Sequence, residues 1–244
     1  MKPFFIALST LSLFPELIGK WTNQQLKNSV IFYPVVGALI GGLLALVWKL
    51  PFSNDLQALV ALLLWVVLTM AFHLDGLGDC LDGWLGGHNP QERRKIMKDP
   101  AMGVYGVTGI ILVLLFKYVL LGHLMSQGNV WQWLIAIPAA ARYAVVISCF
   151  RSAPLPNDKG LGSKVLGLSV TAFSLSTLFT FLLFLLLKWE IVWVLVLATL
   201  ISMALTTLSK NRIGGLTGDG MGATIEITEV ALLFLACLSF RITS

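Results

Sequence analysis

Charge is what this chain has least of. Asp, Glu, Lys and Arg make up 12% of its 244 residues while 57% are hydrophobic, against roughly a quarter charged in soluble domains. That balance excludes a soluble globular protein and points to a polytopic membrane protein. Cysteine is scarce as well. Cys80, Cys149 and Cys237 are odd in number, far apart and mostly set among apolar residues, which excludes a disulfide framework and any cysteine-based metal spacing. There is no low-complexity tract, no internal repeat and no nucleotide loop ending in G-K-[ST]. The net charge is +5, but the basic residues do not gather with aromatics, so a nucleic-acid partner is excluded and the excess reads as loop bias.

What the chain does have is a succession of apolar runs, each near the length a bilayer crossing requires. They fall at about 28–50, 55–73, 104–126, 130–150, 165–187, 190–209 and 222–240. The expected fold is all-α: a transmembrane helical bundle of about seven spans, forming a single integral membrane domain over residues 1–244. Residues 1–20 resemble a leader, but Pro15 and Glu16 interrupt the apolar core and no small-x-small cleavage site follows. They read as a retained interfacial or re-entrant segment. In the first span Pro34, Gly37, Gly41 and Gly42 predict close helix packing. Twelve of the 17 Lys and Arg residues fall on one set of loops and three on the other. By the positive-inside rule the first set is cytoplasmic.

Every motif that could carry chemistry lands on that side. The first, H-L-D-G-L-G-D-C-L-D-G-W-L-G-G from His73, sets Asp75, Asp79 and Asp82 at i, i+4 and i+7. In a helix all three share a face. Stacked like charges call for a polyvalent cation or a cationic substrate. Mg²⁺ suits such a place, since it takes one or two carboxylates together with phosphate oxygens and waters. A solvated helix end whose acids happen to align is the plainer alternative. His73 could be a base, a ligand or an ordinary helix-end imidazole.

The second motif, K-I-M-K-D-P-A-M-G-V-Y-G, follows the basic run Arg93, Arg94 and Lys95. That run fits simple topology, whereas Lys98 could hold a phosphate as a point charge, with Asp99 beside it. The third motif, G-G-L-T-G-D-G-M-G-A-T-I-E-I-T-E, resembles a phosphate-cradling turn at a helix start. Its Asp219, Glu226 and Glu229 again share a helical face, and acids within an apolar span usually face a site. Lys117 and Arg142, also within spans, could instead neutralise them. The loop from Arg151 to Lys164 reads as a substrate cover or a mere connector.

Together, F-H-L-D-G-L-G-D-C-L-D-G, K-I-M-K-D-P-x-M-G-x-Y-G and G-L-T-G-D-x-x-G-A-T-x-E-x-x-E closely resemble the cobalamin synthases, the adenosylcobinamide-GDP ribazoletransferases. The resemblance covers the whole chain in motif order and length. It implies a multi-pass enzyme of the bacterial inner (cytoplasmic) membrane with its active site facing the cytoplasm. The implied substrates are adenosylcobinamide-GDP and α-ribazole or its 5′-phosphate; the products are adenosylcobalamin or its phosphate and GMP, with Mg²⁺ as cofactor. Association with other cobamide-assembly enzymes or with further copies of the chain is left open. On this reading Asp75, Asp79 and Asp219 are the first metal contacts, with Asp82 and Glu226 next. Asp82 or Glu229 takes the proton of the attacking hydroxyl, and His73 is a further catalytic candidate. Lys98 and Asp99 serve the diphosphate, to which Gly215, Gly218 and Gly222 give backbone access.

Two rivals remain at the level of sequence. A CDP-alcohol phosphotransferase has a related aspartate signature, but its alanine-arginine pair and D-x-x-x-D ending are missing here. A cation-coupled transporter would place its acids near the midplane within repeats, whereas these bunch at one face. Release of CMP would mark the first rival; GMP release without any gradient would exclude the second.

Overall fold

The computed structural model describes residues 2–15, 19–155, 158, 160–188 and 191–243, with side chains as far as Ser239. Among the described residues there is no strand, as the apolar runs predict. Helix α1 (Lys2–Leu11) is too short to cross a bilayer; it buries Ile6, Ala7 and Leu11 against the bundle. Thr22 and Gln25 close a reciprocal cap on α2 (Asn23–Ser29), which satisfies two otherwise orphaned amides. A 3-10 turn joins α2 to α3 (Tyr33–Trp48), so 23–48 is one apolar span.

The remaining helices are α4 (Asn54–Leu68), α5 (Phe72–Gly86), α6 (Pro90–Ile96), α7 (Val104–Met125), α8 (Trp131–Arg151), α9 (Leu161–Val165), α10 (Val170–Leu187), α11 (Trp193–Ile213) and α12 (Gly218–Thr243). Among the described residues six continuous apolar segments are long enough to span, and α4 and α5, bent by 83° at their junction, are long and apolar enough only as a pair, the pattern of a broken span or a re-entrant loop. The expected crossing at 55–73 is therefore the first member of a bent helix pair, and the one at 165–187 begins only at Val170.

Helix α8 is the axis. All its residues from Trp133 to Cys149 are buried except Ile135, which is partly covered, and α3, α10, α11 and α12 surround it. Gly37 and Gly41 let α3 seat directly on it, because a Cβ at either would overlap the backbone of Pro138 or Leu134. Gly42 faces open space and has no such role. On the far side Ser202 bonds Ser148 at 2.8 Å and donates to Ala144 O at 2.7 Å, the small-polar contact that joins helices where lipid supplies no hydrophobic drive. Outward-facing Val119, Leu186 and Val196 stay exposed, as lipid-facing side chains do.

Candidate functional site

The span before the first acidic motif does not run straight into it. Helix α4 stops at Leu68, and Met70 and Ala71 both adopt left-handed backbone, with φ of 52° and 55°. Neither is glycine, so the turn is strained. The turn is only partly enclosed, with Met70 exposed and Ala71 half-covered. Here Thr69 is buried and its hydroxyl donates to Trp65 O at 3.0 Å. Helix α5 restarts at Phe72 and packs on α7 and α12 instead of extending α4.

Contact with α12 is made through glycine. A Cβ on Gly76 would stand 2.9 Å from Asp219 Cα, and one on Gly222 3.2 Å from His73 Cα. That approach carries Asp219 to the face of α5 that holds Asp75 and Asp79, and both lie within electrostatic reach of it. Asp75 is exposed, Asp79 and Asp219 are half-buried, and no Lys or Arg makes a salt bridge with any of the three among the described residues. Lys98 acts on Asp219 only from beyond salt-bridge distance, and like charges gathered with no paired counter-ion favour a cation.

Whether that cation is resident is a separate matter. Among the described residues no three Asp, Glu, His or Cys side chains stand close enough to enclose a metal by themselves. Mg²⁺ held by one or two carboxylates needs no such cage, because phosphate and water complete its shell. The donor set fits a metal that arrives with a phosphate ligand.

Asp219 also lines a cavity of about 650 Å³ with Arg94, Lys98, Asp158, Gly162 and Thr217. Three connections that are distant in sequence close around it. Gly220 N donates to Thr217 Oγ1 at 3.2 Å, so the start of the 26-residue α12 is capped with Thr217, Gly218 and Asp219 facing the cavity. A helix start with free amides favours an anion, and Lys98 and Arg94 add positive charge. Arg94 is held in place by donating to Ile213 O at 3.3 Å. On the other wall Gly162 rides on Gly218, where a Cβ would meet Gly218 N at 2.7 Å. Asp158 accepts from Gly160 N through Oδ1 at 2.9 Å. The cavity thus sets a helix start beside two carboxylates, Asp158 and Asp219, the second of which is within electrostatic reach of Asp75 and Asp79.

The cobalamin-5-phosphate synthase (CobS) family matches residues 3–237. The chain belongs to that family. Its relatives include proteins of Acinetobacter baumannii strain ACICU, 40% identical over 98% of both chains, and Pseudomonas entomophila, 39% identical over 96% of this chain and 97% of the relative. A third, from Vibrio cholerae O395, is 34% identical over 98% of this chain and 94% of its own. All three are named adenosylcobinamide-GDP ribazoletransferase. No solved structure matches the chain. The family named from the three motifs is therefore the family to which the chain belongs.

Within this chain the expected site residues divide. Asp75, Asp79, Asp219, Lys98 and Gly218 come together at or beside the cavity. Asp82 does not join them as a free carboxylate: it is buried and accepts from Gly103 N at 2.7 Å and Gly106 N at 2.9 Å. These amides open α7, whose first residue is preceded by a glycine with no cap of its own, so Asp82 caps α7 from across the bundle. Glu226 and Glu229 lie deeper. Lys117 Nζ donates to Glu226 at 2.7 Å and also pairs with Glu229, which binds Arg142 too. Lys117 stands 4.6 Å from the centre of the Trp65 ring, and Arg142 Nη2 is 3.4 Å from His73 Nδ1.

Two acids and two bases thus neutralise one another inside the bundle. This contact is the alternative that Lys117 and Arg142 offer in the sequence, and it takes Glu226, Glu229 and His73 away from the cavity wall. Asp99 turns back on Ala101 N at 3.0 Å. Gly215 packs on Leu155, and Gly222 is buried against α5, so their service is to packing. Two charged residues of the cavity, Arg94 and Asp158, are not among the site residues expected from the sequence. Arg94 is hidden in a run that topology alone explains, and the only sign of Asp158 is that it is the sole acid in P-L-P-N-D-K-G-L-G.

Proposed function

We propose that this chain transfers the adenosylcobinamide-phosphate group of adenosylcobinamide-GDP to α-ribazole or its 5′-phosphate, releasing GMP. The observation that carries the reading is the meeting of Asp75 and Asp79 on α5 with Asp219 on α12, beside a helix start built for phosphate. The relatives' shared name supplies the substrate.

Asp75, Asp79 and Asp219 would hold Mg²⁺, which when bound with the diphosphate offsets its charge and that of the departing phosphate. The chain's own groups do the rest. Lys98, Arg94 and the amides at the start of α12 orient the diphosphate and stabilise charge as it moves toward GMP. The 3′-hydroxyl of the acceptor ribose attacks the phosphorus joined to cobinamide. A P–O bond forms there as the bond to GMP breaks. With Asp82 and Glu229 both engaged elsewhere, the hydroxyl proton passes to Asp158, whose Oδ1 holds Gly160 N and whose Oδ2 takes no hydrogen bond among the described residues. A base of this kind works only within direct hydrogen-bond reach of the hydroxyl. The excess of Lys and Arg on the loops that form the cavity supports a cytoplasmic active site.

The test is to supply adenosylcobinamide-GDP and α-ribazole to the purified protein with and without Mg²⁺ and follow both products by chromatography. A complete cobamide and GMP in equal amounts, only with the metal, is the expected result. GMP without cobamide, or CMP from a CDP-alcohol, would refute the assignment.

A further inference from the structure

Beside the cavity lies a second hollow of about 530 Å³, lined by Gln91, Arg94, Lys95, Lys98, Asp99 and Pro100. Arg94 and Lys98 border both hollows, whereas Lys95 borders only the outer one. Gln91, Arg94, Lys95 and Lys98 follow at i, i+3, i+4 and i+7, so α6 and the turn after it turn one face to the hollow. Asp219, on the inner side, is within electrostatic reach of Lys98, but the acids beside Lys95 form no salt bridge with it among the described residues. Glu92 accepts from His88 N at 2.9 Å, Asp99 accepts from Ala101 N at 3.0 Å, and neither pairs with Lys95 or Lys98 among the described residues. Topological bias explains why basic residues lie on this side of the protein. It does not explain why three converge on one concave surface, with Arg94 anchored to Ile213 O.

We infer that this hollow extends the diphosphate site, with which it shares Arg94 and Lys98, into a second phosphate site centred on Lys95 that takes a phosphomonoester. The inference rests on the reaction proposed above, and it assigns the hollow to the 5′-phosphate of the acceptor nucleotide. The two hollows share a wall, so a ribose can present its 3′-hydroxyl to the inner one while its 5′ end remains in the outer. A flexible ammonium such as Lys95 suits a terminal phosphate reached from solvent. The phosphate of an anionic lipid headgroup offers the same chemistry, and the experiment separates the two.

The experiment uses the full-length protein in nanodiscs of zwitterionic lipid, as wild type and as Lys95→Gln. KM is measured for α-ribazole 5′-phosphate and for α-ribazole at saturating adenosylcobinamide-GDP. The ratio of the two KM values is expected to rise about tenfold in the variant, the loss of one charge-assisted bond, and to be insensitive to added anionic lipid. A ratio equal to that of wild type overturns the assignment, and so does a change seen only when anionic lipid is present. Failure of the reaction itself looks different, as wild type then releases no GMP with either acceptor. In that event inorganic phosphate titrated against both proteins by phosphorus NMR decides: weaker binding by Lys95→Gln sustains a phosphate site, and equal binding removes it.

Discussion

Gly76 of α5 lies so close to Asp219 of α12 that a Cβ at Gly76 would stand 2.9 Å from both the Cα and the carbonyl oxygen of Asp219. This one contact brings two acidic segments, more than 140 residues apart in the chain, within electrostatic reach of one another. The approach of α5 to α12 depends on the absence of a side chain at Gly76, and on the proposed reading the active site depends on it too.

Gly76→Ala should therefore separate activity from folding. In isolation the change favours the helix by about 0.5–1 kcal/mol, but here the methyl meets backbone, which cannot rotate away. We expect kcat for GMP release to fall at least tenfold while the variant still purifies as a folded protein. Gly42→Ala, with open space around the new methyl, is the control and should match wild type in the same assay.

Asp158 is assigned the acceptor proton, and Asp158→Asn removes that capacity while keeping the shape of the loop. A general base contributes roughly 10²–10⁴-fold, so kcat should fall within that range with KM for adenosylcobinamide-GDP little altered. Full turnover by this variant in steady-state assays would end the assignment.

Asp82 should behave as a helix cap. Asp82→Asn keeps one acceptor oxygen for two amides, and loss of a cap costs on the order of 0.5–2 kcal/mol. Thermal unfolding in detergent should shift downward, while the Mg²⁺ concentration that gives half-maximal activity stays at the wild-type value. A large rise in that concentration would return Asp82 to the metal set.

Much of this arrangement is legible in the sequence, and what is not has a physical cause. Apolar runs announce the spans because a bilayer imposes their length, and Gly37 and Gly41 announce close packing because small residues are needed there. The break after Leu68 leaves no such mark, since Met70 and Ala71 are neither Gly nor Pro and take left-handed backbone under tertiary constraint. Asp75, Asp79 and Asp82 share a helical face as their spacing requires, yet Asp82 is claimed by the amides of α7. Helical spacing shows which side chains share a face, not which neighbour arrives to meet them. Glu226 and Glu229 are costly within a span for the stated reason, but their partner Lys117 lies over 100 residues away. Arg94 is unreadable because topology and ligand binding require the same residue type in the same place.

The buried group of Lys117, Arg142, Glu226 and Glu229 should be unequal in its parts. Glu229 binds two cations and Glu226 one. Removing one partner of a buried pair costs about 3–5 kcal/mol, because the other charge stays behind unsolvated. Glu229→Gln should thus destabilise the protein more than Glu226→Gln in thermal unfolding, and restoring neutrality with Arg142→Met in the Glu229→Gln background should recover part of the loss.

The central claim is that α5 and α12 grip one divalent ion between them. It is tested most directly by a double-mutant cycle on the Mg²⁺ dependence of GMP release, with Asp79→Asn, Asp219→Asn and the pair. Carboxylates serving the same ion are energetically coupled. Each single variant should raise the half-saturating Mg²⁺ concentration about tenfold, equivalent to 1.4 kcal/mol, and the double variant should fall clearly short of the hundredfold rise that independent sites would give. A full multiplicative effect, or no change in Mg²⁺ dependence for either single variant, would contradict it.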